Sequence, residues 1–446
     1  MPRDIERLNV EDVIKRATEV LKKNPNNFTA RHDLGAAYLT QGQVDLAIEQ
    51  FKKAIELDPK VDLTHYLLGI AYAEKNQLDE AITEWRTTTE LNPRYAAAYF
   101  NLGKVYAIKG MVDAAIFALK KSMELEPHNP QLLAHIHLAQ IYHAQGKTDE
   151  AIKLLKEAES VNPNNPRIYA ALSAIHLDTG DFREAIKLGE KALESGIEEA
   201  DVHCNVGMAY MAENDINKAM RHYRAAIGID ERHNRSYTLL GEALAMKGMF
   251  AEAQSLWEKA LEINPQDWEA HYDLGMGWAQ RGFLDEAIKV WQELLEKNPG
   301  YLLAKTQIAR ALEMKGRLDE ALDIWEEMRK LGPENPDPYI QIANIYLHQN
   351  RLDAAYDMLM EAKRRGTADD RTLAGLGVLE LKKGNEASAL EYFTQANEVN
   401  PNFAFHNASL FKNTLDLKHI QALERRASGK AAKAIAAIRA VFEKIN

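Results

Sequence analysis

Apolar positions along this chain fall in paired runs with helical spacing. Leu34 and Tyr38 mark one run, and Leu46, Ala47, Ile48, Phe51, Ala54 and Ile55 mark the next, with Gly42 between them. Apolar residues three and four apart line one face of a helix, so the segment predicts two amphipathic helices joined by a short break. The pattern then recurs every 34 residues, giving eleven units from Phe28 to Phe403. Repetition at that period predicts a row of helix pairs, each burying its apolar faces against its neighbours.

Three columns of the repeat carry most of the signal. Position 8 holds a small residue in every unit: Gly35, Gly69, Gly103, Ala139, Ser173, Gly207, Gly241, Gly275, Ala309, Ala343 and Gly377. Position 20 is alanine throughout, from Ala47 and Ala81 to Ala355 and Ala389. Antiparallel helices that cross closely accept only small side chains, so positions 8 and 20 are the expected contact point. Position 15, in the break, is always Gly or Asn, as at Gly42, Asn76, Gly110, Asn214 and Asn350. These two residues tolerate the left-handed conformation that closes a helix. Eight units end in proline, as at Pro59 and Pro93, which stops the second helix.

With Tyr38, Tyr72, Tyr106, Tyr142, Tyr210 and Tyr346 at position 11, and Phe51, Trp85, Trp257, Trp291, Trp325 and Phe393 at position 24, the chain resembles the tetratricopeptide repeat family. The resemblance implies an all-α, right-handed superhelical α-solenoid of helix-turn-helix repeats. Its first helices would line a concave groove and its second helices would form the outer wall. Some units depart from the pattern: Gly189 replaces the position-24 aromatic, Glu380 sits in an aromatic slot, and Ile197, Glu231 and Thr367 stand where proline is expected. Residues 1–27, with Val13, Ala17, Val20 and Leu21 on one stripe, read as a half-repeat cap before the eleven units of 28–403. The spacing from Gly103 to Ala139 is 36 rather than 34, which marks a lengthened turn or a hinge at 128–131. Residues 404–446 read as a degenerate repeat and a basic cap helix, with eight Lys/Arg against three Asp/Glu from Phe411 onward.

Composition narrows the function classes. A net charge of −11 with 27% charged residues disfavours a general nucleic-acid binder. The single cysteine, Cys204, excludes an internal disulfide, and no apolar run is long enough to span a bilayer, so a cytoplasmic protein without membrane insertion is expected. Ser428-Gly429-Lys430 lacks the upstream glycine of a phosphate loop. His135, His137 and His143, with His128 before them, are spaced two, six and eight apart and form no pair on one helical face. No cofactor, metal or catalytic residue is expected. The tryptophans at position 24 are expected in the core, and Cys204 as a small apolar lining residue of the groove.

The resemblance places the binding face at first-helix positions 2, 5, 6, 9, 12 and 13. On this chain those include Leu63, Tyr66, Leu67 and Ile70; Phe100, Asn101 and Lys104; Asn205, Met208 and Met211; Met246; and Tyr272 and Met276. An apolar, methionine-rich lining suits amphipathic helices or extended apolar peptides, because thioethers repack around different partners. The family's carboxylate clamp is incomplete: Asn101 and Asn205 match its middle element, but position 5 is never lysine. The expectation is a non-enzymatic scaffold or adaptor for one or more protein partners. The alternative is a regulatory peptide receptor whose superhelix changes pitch on binding.

Overall fold

The computed structural model describes residues 10–126, 132–332, 335–365 and 369–445. The expected hinge at 128–131, together with Pro127, Pro333 and Thr367, lies outside the described residues. Among the described residues the regular structure is helical, with no strand. The helix Val10–Lys23 is followed by pairs such as Phe28–Thr40 with Val44–Leu57 and Asp62–Glu74 with Leu78–Leu91. The last pair is Asp370–Lys382 with Glu386–Val399, and four further helices end at Ile445. The chain forms two compact units, Met1–Leu239 and Leu240–Asn446, whose boundary falls inside the helix Asn234–Met246.

The turn inside each pair follows the sequence reading. All eleven position-15 residues have positive φ, from Asn350 at 58° to Gly282 at 84°. The chain reverses there, and the next N–H reaches back to close the first helix: Gln43 N–H donates to the Tyr38 carbonyl and Gln77 N–H to that of Tyr72, both at 2.9 Å.

Packing within each pair extends one expectation. The small residue at position 8 meets the position-20 main chain, with an added Gly103 Cβ 3.3 Å from the Ala115 carbonyl oxygen, and it also faces the position-24 side chain. A Cβ added to Gly35 would sit 2.7 Å from Phe51 Cε1, one on Gly207 would sit 2.5 Å from Tyr223 Cε1, and one on Gly275 would sit 2.5 Å from Trp291 Cε2. Position 8 therefore makes room for a large side chain, which drops into the gap left by the missing Cβ. The pair Ser173 and Gly189 reverses the arrangement. Its glycine is at position 24, where Val206 of the next repeat fills the space of the missing Cβ; Ser173 Oγ lies 2.8 Å from that point, and its hydroxyl donates to the Ala185 carbonyl at 2.7 Å. The departure at Gly189 is thus compensated by Val206 together with Ser173. The position-20 alanines are fully buried. Trp257, Trp291 and Trp325 rank among the largest buried side chains, as their column predicts.

Successive repeats are also tied on the outside. Lys75, Lys109, Lys315 and Lys383 each pair with the aspartate thirty residues earlier, Asp45, Asp79, Asp285 and Asp353. These aspartates are largely exposed, so each pair adds little to stability.

At the C-terminal end, the helices Phe403–His406 and Ala408–Thr414 follow in the register of another first helix, broken at Asn407. The Asn407 amide donates to the Phe403 carbonyl at 2.8 Å and to Asp370 Oδ2 at 3.4 Å. Phe411 is fully buried and meets Phe393 and Phe403 edge-on. The final helix, Gly429–Ile445, buries Ala434, Ile435 and Ile438. Much of the basic charge of this region is engaged internally: Arg426 with Glu386, Lys430 with Glu398, and Arg439 with Glu424 and Glu443.

Candidate partner-binding face

First helices carry two kinds of apolar residue. Those facing the second helix of their own pair or the next repeat are closed off, as Leu68, Ala71, Leu102 and Val206 are. The thirteen expected face residues differ, since none of them is fully buried. Leu63 is 41% exposed and Met246 62%. Lys104 is exposed, and the other ten are half-buried.

Two groups of these residues are brought together in the first compact unit. The Tyr66 ring packs 4.8 Å from that of Tyr95, and Asn101 Nδ2 donates to the Tyr66 hydroxyl at 3.4 Å. The Trp85 indole N–H donates to the Tyr66 carbonyl at 3.1 Å, fixing the helix beneath the ring. Burial pushes the Tyr66 phenol up, with the Asn101 bond opposing it. Next along, Lys104 Nζ lies 5.7 Å above the Phe100 ring, which tilts against His137 at 5.5 Å. Burial and then Lys104 hold the His137 imidazole below its ordinary value, so the neutral ring is favoured.

The second compact unit repeats the first construction. Tyr272 packs 5.9 Å from Tyr301, its hydroxyl accepts from Gln307 Nε2 at 3.1 Å, and Trp291 N–H reaches its carbonyl at 3.1 Å. Tyr66 and Tyr272 therefore share a design: position 5 stacks on position 34, and an amide at position 6 of the next repeat holds the hydroxyl. Leu67, Ile70 and Met276 lie against the cores beneath them. Asn205, Met208 and Met211 are half-buried on the helix Ala200–Ala212.

Sequence reasoning missed several participants. Tyr95 and Tyr301 close their repeats in the turn, outside the helical positions that were read. Glu242 and Asp273 stand at positions 9 and 6 of consecutive repeats, where a search for apolar and amide residues passed over them. Burial first, and then Glu242, push the Asp273 carboxyl up to about 8, with Glu269 and Asp267 adding to the effect. Burial also raises Glu242. One proton between two such carboxyls removes a repulsion that neither could otherwise relieve.

Cys204 is corrected. Its position was expected to line the groove, yet it is 1% exposed. Burial pushes the thiol up, and a hydrogen bond from the thiol's neighbour Ser236 opposes that shift. It is a packing residue between first helices. His143 turns to Thr148 and Asp178 while His137 meets Phe100, so the clustered histidines serve separate contacts. Among the described residues no group of three or more His, Cys, Asp or Glu side chains is placed to hold a metal ion.

Models described as TPR repeat or Tetratricopeptide repeat match residues 37–76, 272–336, 314–376 and 370–403. The chain belongs to the tetratricopeptide repeat family. A further tetratricopeptide model, the Cilia and flagella-associated protein 70 C-terminal domain, matches residues 64–276. No curated protein matches the chain. Among solved structures it is similar to MamA, at 32% identity over 36% of this chain and 97% of that one, with a TM-score of 0.34. It is similar also to a tetratricopeptide repeat protein from Parabacteroides merdae ATCC 43184, at 18% identity over 56% and 99% of the two chains, with a TM-score of 0.45. Cut9–Hcn1, an APC/C hetero-tetramer, is 14% identical over 94% and 93%, with a TM-score of 0.43. Tetratricopeptide repeats commonly mediate protein–protein interaction. Among the described residues no helix is long and apolar enough to cross a membrane.

Proposed function

We propose that this chain is a non-enzymatic scaffold or adaptor that holds apolar or amphipathic segments of partner proteins against the face of its first helices. The observation that carries the reading is the incomplete burial of Leu63, Tyr66, Phe100, Met208, Met246, Tyr272 and Met276 on helices that also carry closed-off apolar residues such as Leu68, Leu102, Val206, Leu240 and Leu274. Exposed apolar area rimmed by polar groups is where partner burial gains most. Tyr66, Asn101 and Tyr272 are tied to neighbouring repeats and present a firm floor, while the methionines supply an adaptable surface. A cytoplasmic location belongs to the same proposal, supported by a sequence whose one cysteine is buried.

Because Tyr66 is held by Tyr95 and Asn101, the cleaner perturbation is Leu63→Asp together with Met246→Asp. The test is affinity capture from native lysate with wild-type and variant chains, read by mass spectrometry. A protein retained by the wild type and lost by a variant of unchanged helicity is the expected result. Identical retention by a folded variant would move the function away from this face.

A further inference from the structure

We propose that the C-terminal end of the first-helix face holds a partly roofed pocket for a primary ammonium group presented by a peptide. This goes beyond the scaffold reading, which rests on other residues, and it concerns the second compact unit alone.

The break at Asn407 creates the pocket. An unbroken helix through this segment would continue the row of first helices; instead, Ala408–Thr414 lies against the helices Asp337–His348 and Asp370–Lys382. A cavity of about 470 Å³ remains beneath it, bounded by Glu313, Asn344, His348, Arg371, Leu410 and Asn413. Elsewhere the face residues stand open; here the chain's own helix forms a roof.

The lining selects the ligand. Asn344 Oδ1 is buried without a hydrogen-bond donor, so a ligand that enters must bring an N–H or O–H. Glu313 accepts the Trp325 indole N–H at 2.6 Å through one oxygen. Burial still holds its carboxyl above the usual range, with Arg310 only partly opposing, as for an acid short of positive charge. Arg371 does not supply it, because Asp337 Oδ1 and Asp369 Oδ2 each lie 2.7 Å from the guanidinium. His406 is 3.4 Å from Asp370 Oδ2. Glu313 is the carboxyl that lines the cavity, and the charge of Arg371 is already met by Asp337 and Asp369 outside the lining, so the group left for a ligand to pair with is Glu313 and a cationic donor is favoured. Ile345 and Leu410 supply an apolar wall for the methylene stem that would carry the charge. A lysine side chain and a free amino terminus share this chemistry.

The test uses the full chain and three versions of one fluorescein-labelled octapeptide of leucine, serine and alanine, followed by fluorescence anisotropy. The first has an acetylated amino terminus and one lysine. The second has a free amino terminus and no lysine. The third is acetylated with norleucine in place of lysine. Binding of the first or second with a loss of roughly tenfold or more in the third is expected, and whichever binds identifies the source of the ammonium. Glu313→Gln, which keeps the Trp325 bond, and Asn344→Leu should each remove most of that preference at unchanged thermal midpoint. Equal binding of all three peptides, or binding of none, overturns the proposal. So does a preference that survives Glu313→Gln and Asn344→Leu. None of these outcomes bears on capture through Leu63 and Met246.

Discussion

Gly275→Ala isolates the packing rule of this fold. The new Cβ would stand 2.5–2.6 Å from Cε2 and Cδ1 of Trp291, an indole that is 1% exposed and donates to the Tyr272 carbonyl at 3.1 Å. Overpacking of a filled core costs about 1–3 kcal/mol. Displacing the indole leaves a buried N–H unpaired, for another ~1–3 kcal/mol. Alanine returns about 1 kcal/mol through helix propensity. The net expectation is a loss of about 1–5 kcal/mol, confined first to the repeat that carries it, because repeats couple only to their neighbours. The chain itself shows how the clash can be relieved. Ala309 stands at the same position opposite Trp325, and there the indole N–H goes to Glu313 Oε1 at 2.6 Å instead of a main-chain carbonyl. Repeat eight has Ala279 where that glutamate would be, so Gly275→Ala with Ala279→Glu should recover part of the loss. Guanidinium titration followed by circular dichroism, with amide exchange over residues 268–297, would measure both. Gly228→Ala is the control: nothing lies within 4 Å of its added Cβ, and it should stabilise by roughly 0.5–1 kcal/mol. If Gly275→Ala matches the wild type while Gly228→Ala behaves as stated, the size-matching argument is wrong.

Two further outcomes concern pH. The Asp273 carboxyl, raised to about 8 in the folded chain by burial and Glu242, keeps its proton while the unfolded one titrates near ~4. Its stabilisation is therefore complete below that lower value and is lost as pH rises through about 8. Asp273→Asn should melt higher than the wild type at alkaline pH and converge with it in acid; a constant offset across the range would refute the shared proton. In the first compact unit, His203 Nδ1 and His222 Nδ1 face each other at 3.1 Å, and His222 stacks on Tyr210, with Glu190, Arg221 and Lys218 around them. Burial lowers both imidazoles, and His203 lowers His222 further, so this pair stabilises above the ordinary histidine value and its contribution disappears as pH falls. His222→Phe should flatten the acid limb of the melting curve, and an unchanged limb would dismiss the pair as its source.

Much of the architecture is legible without coordinates because a repeat states each local rule eleven times. Position 15 is confined to Gly and Asn, and every one of those residues adopts the left-handed backbone that only they tolerate cheaply. The columns at positions 20 and 24 announced the core, and the alanines and tryptophans there are closed off. Local chemistry acting within one turn or one helix leaves such a trace in the residue itself.

Contacts between residues far apart in sequence leave less. That position 8 answers to position 24, and that Gly189 is balanced by Val206 and Ser173, depends on which side chain fills the space a missing Cβ leaves. Cys204 looked like a lining residue because helical phase gives a direction, whereas burial depends on how near the next first helix comes. Tyr95, Tyr301 and the Glu242–Asp273 pair became participants only when the turns and helices packed together, since stacking, shared protons and desolvation are properties of neighbouring groups rather than of single residues. The sequence by itself determined the helix pairs, their turns and their apolar stripes, because propensity, capping and periodicity are local. The tertiary structure alone decided which first-helix side chains stay open to a partner and that the helix broken at Asn407 roofs a cavity, because exposure is set by what the rest of the chain covers.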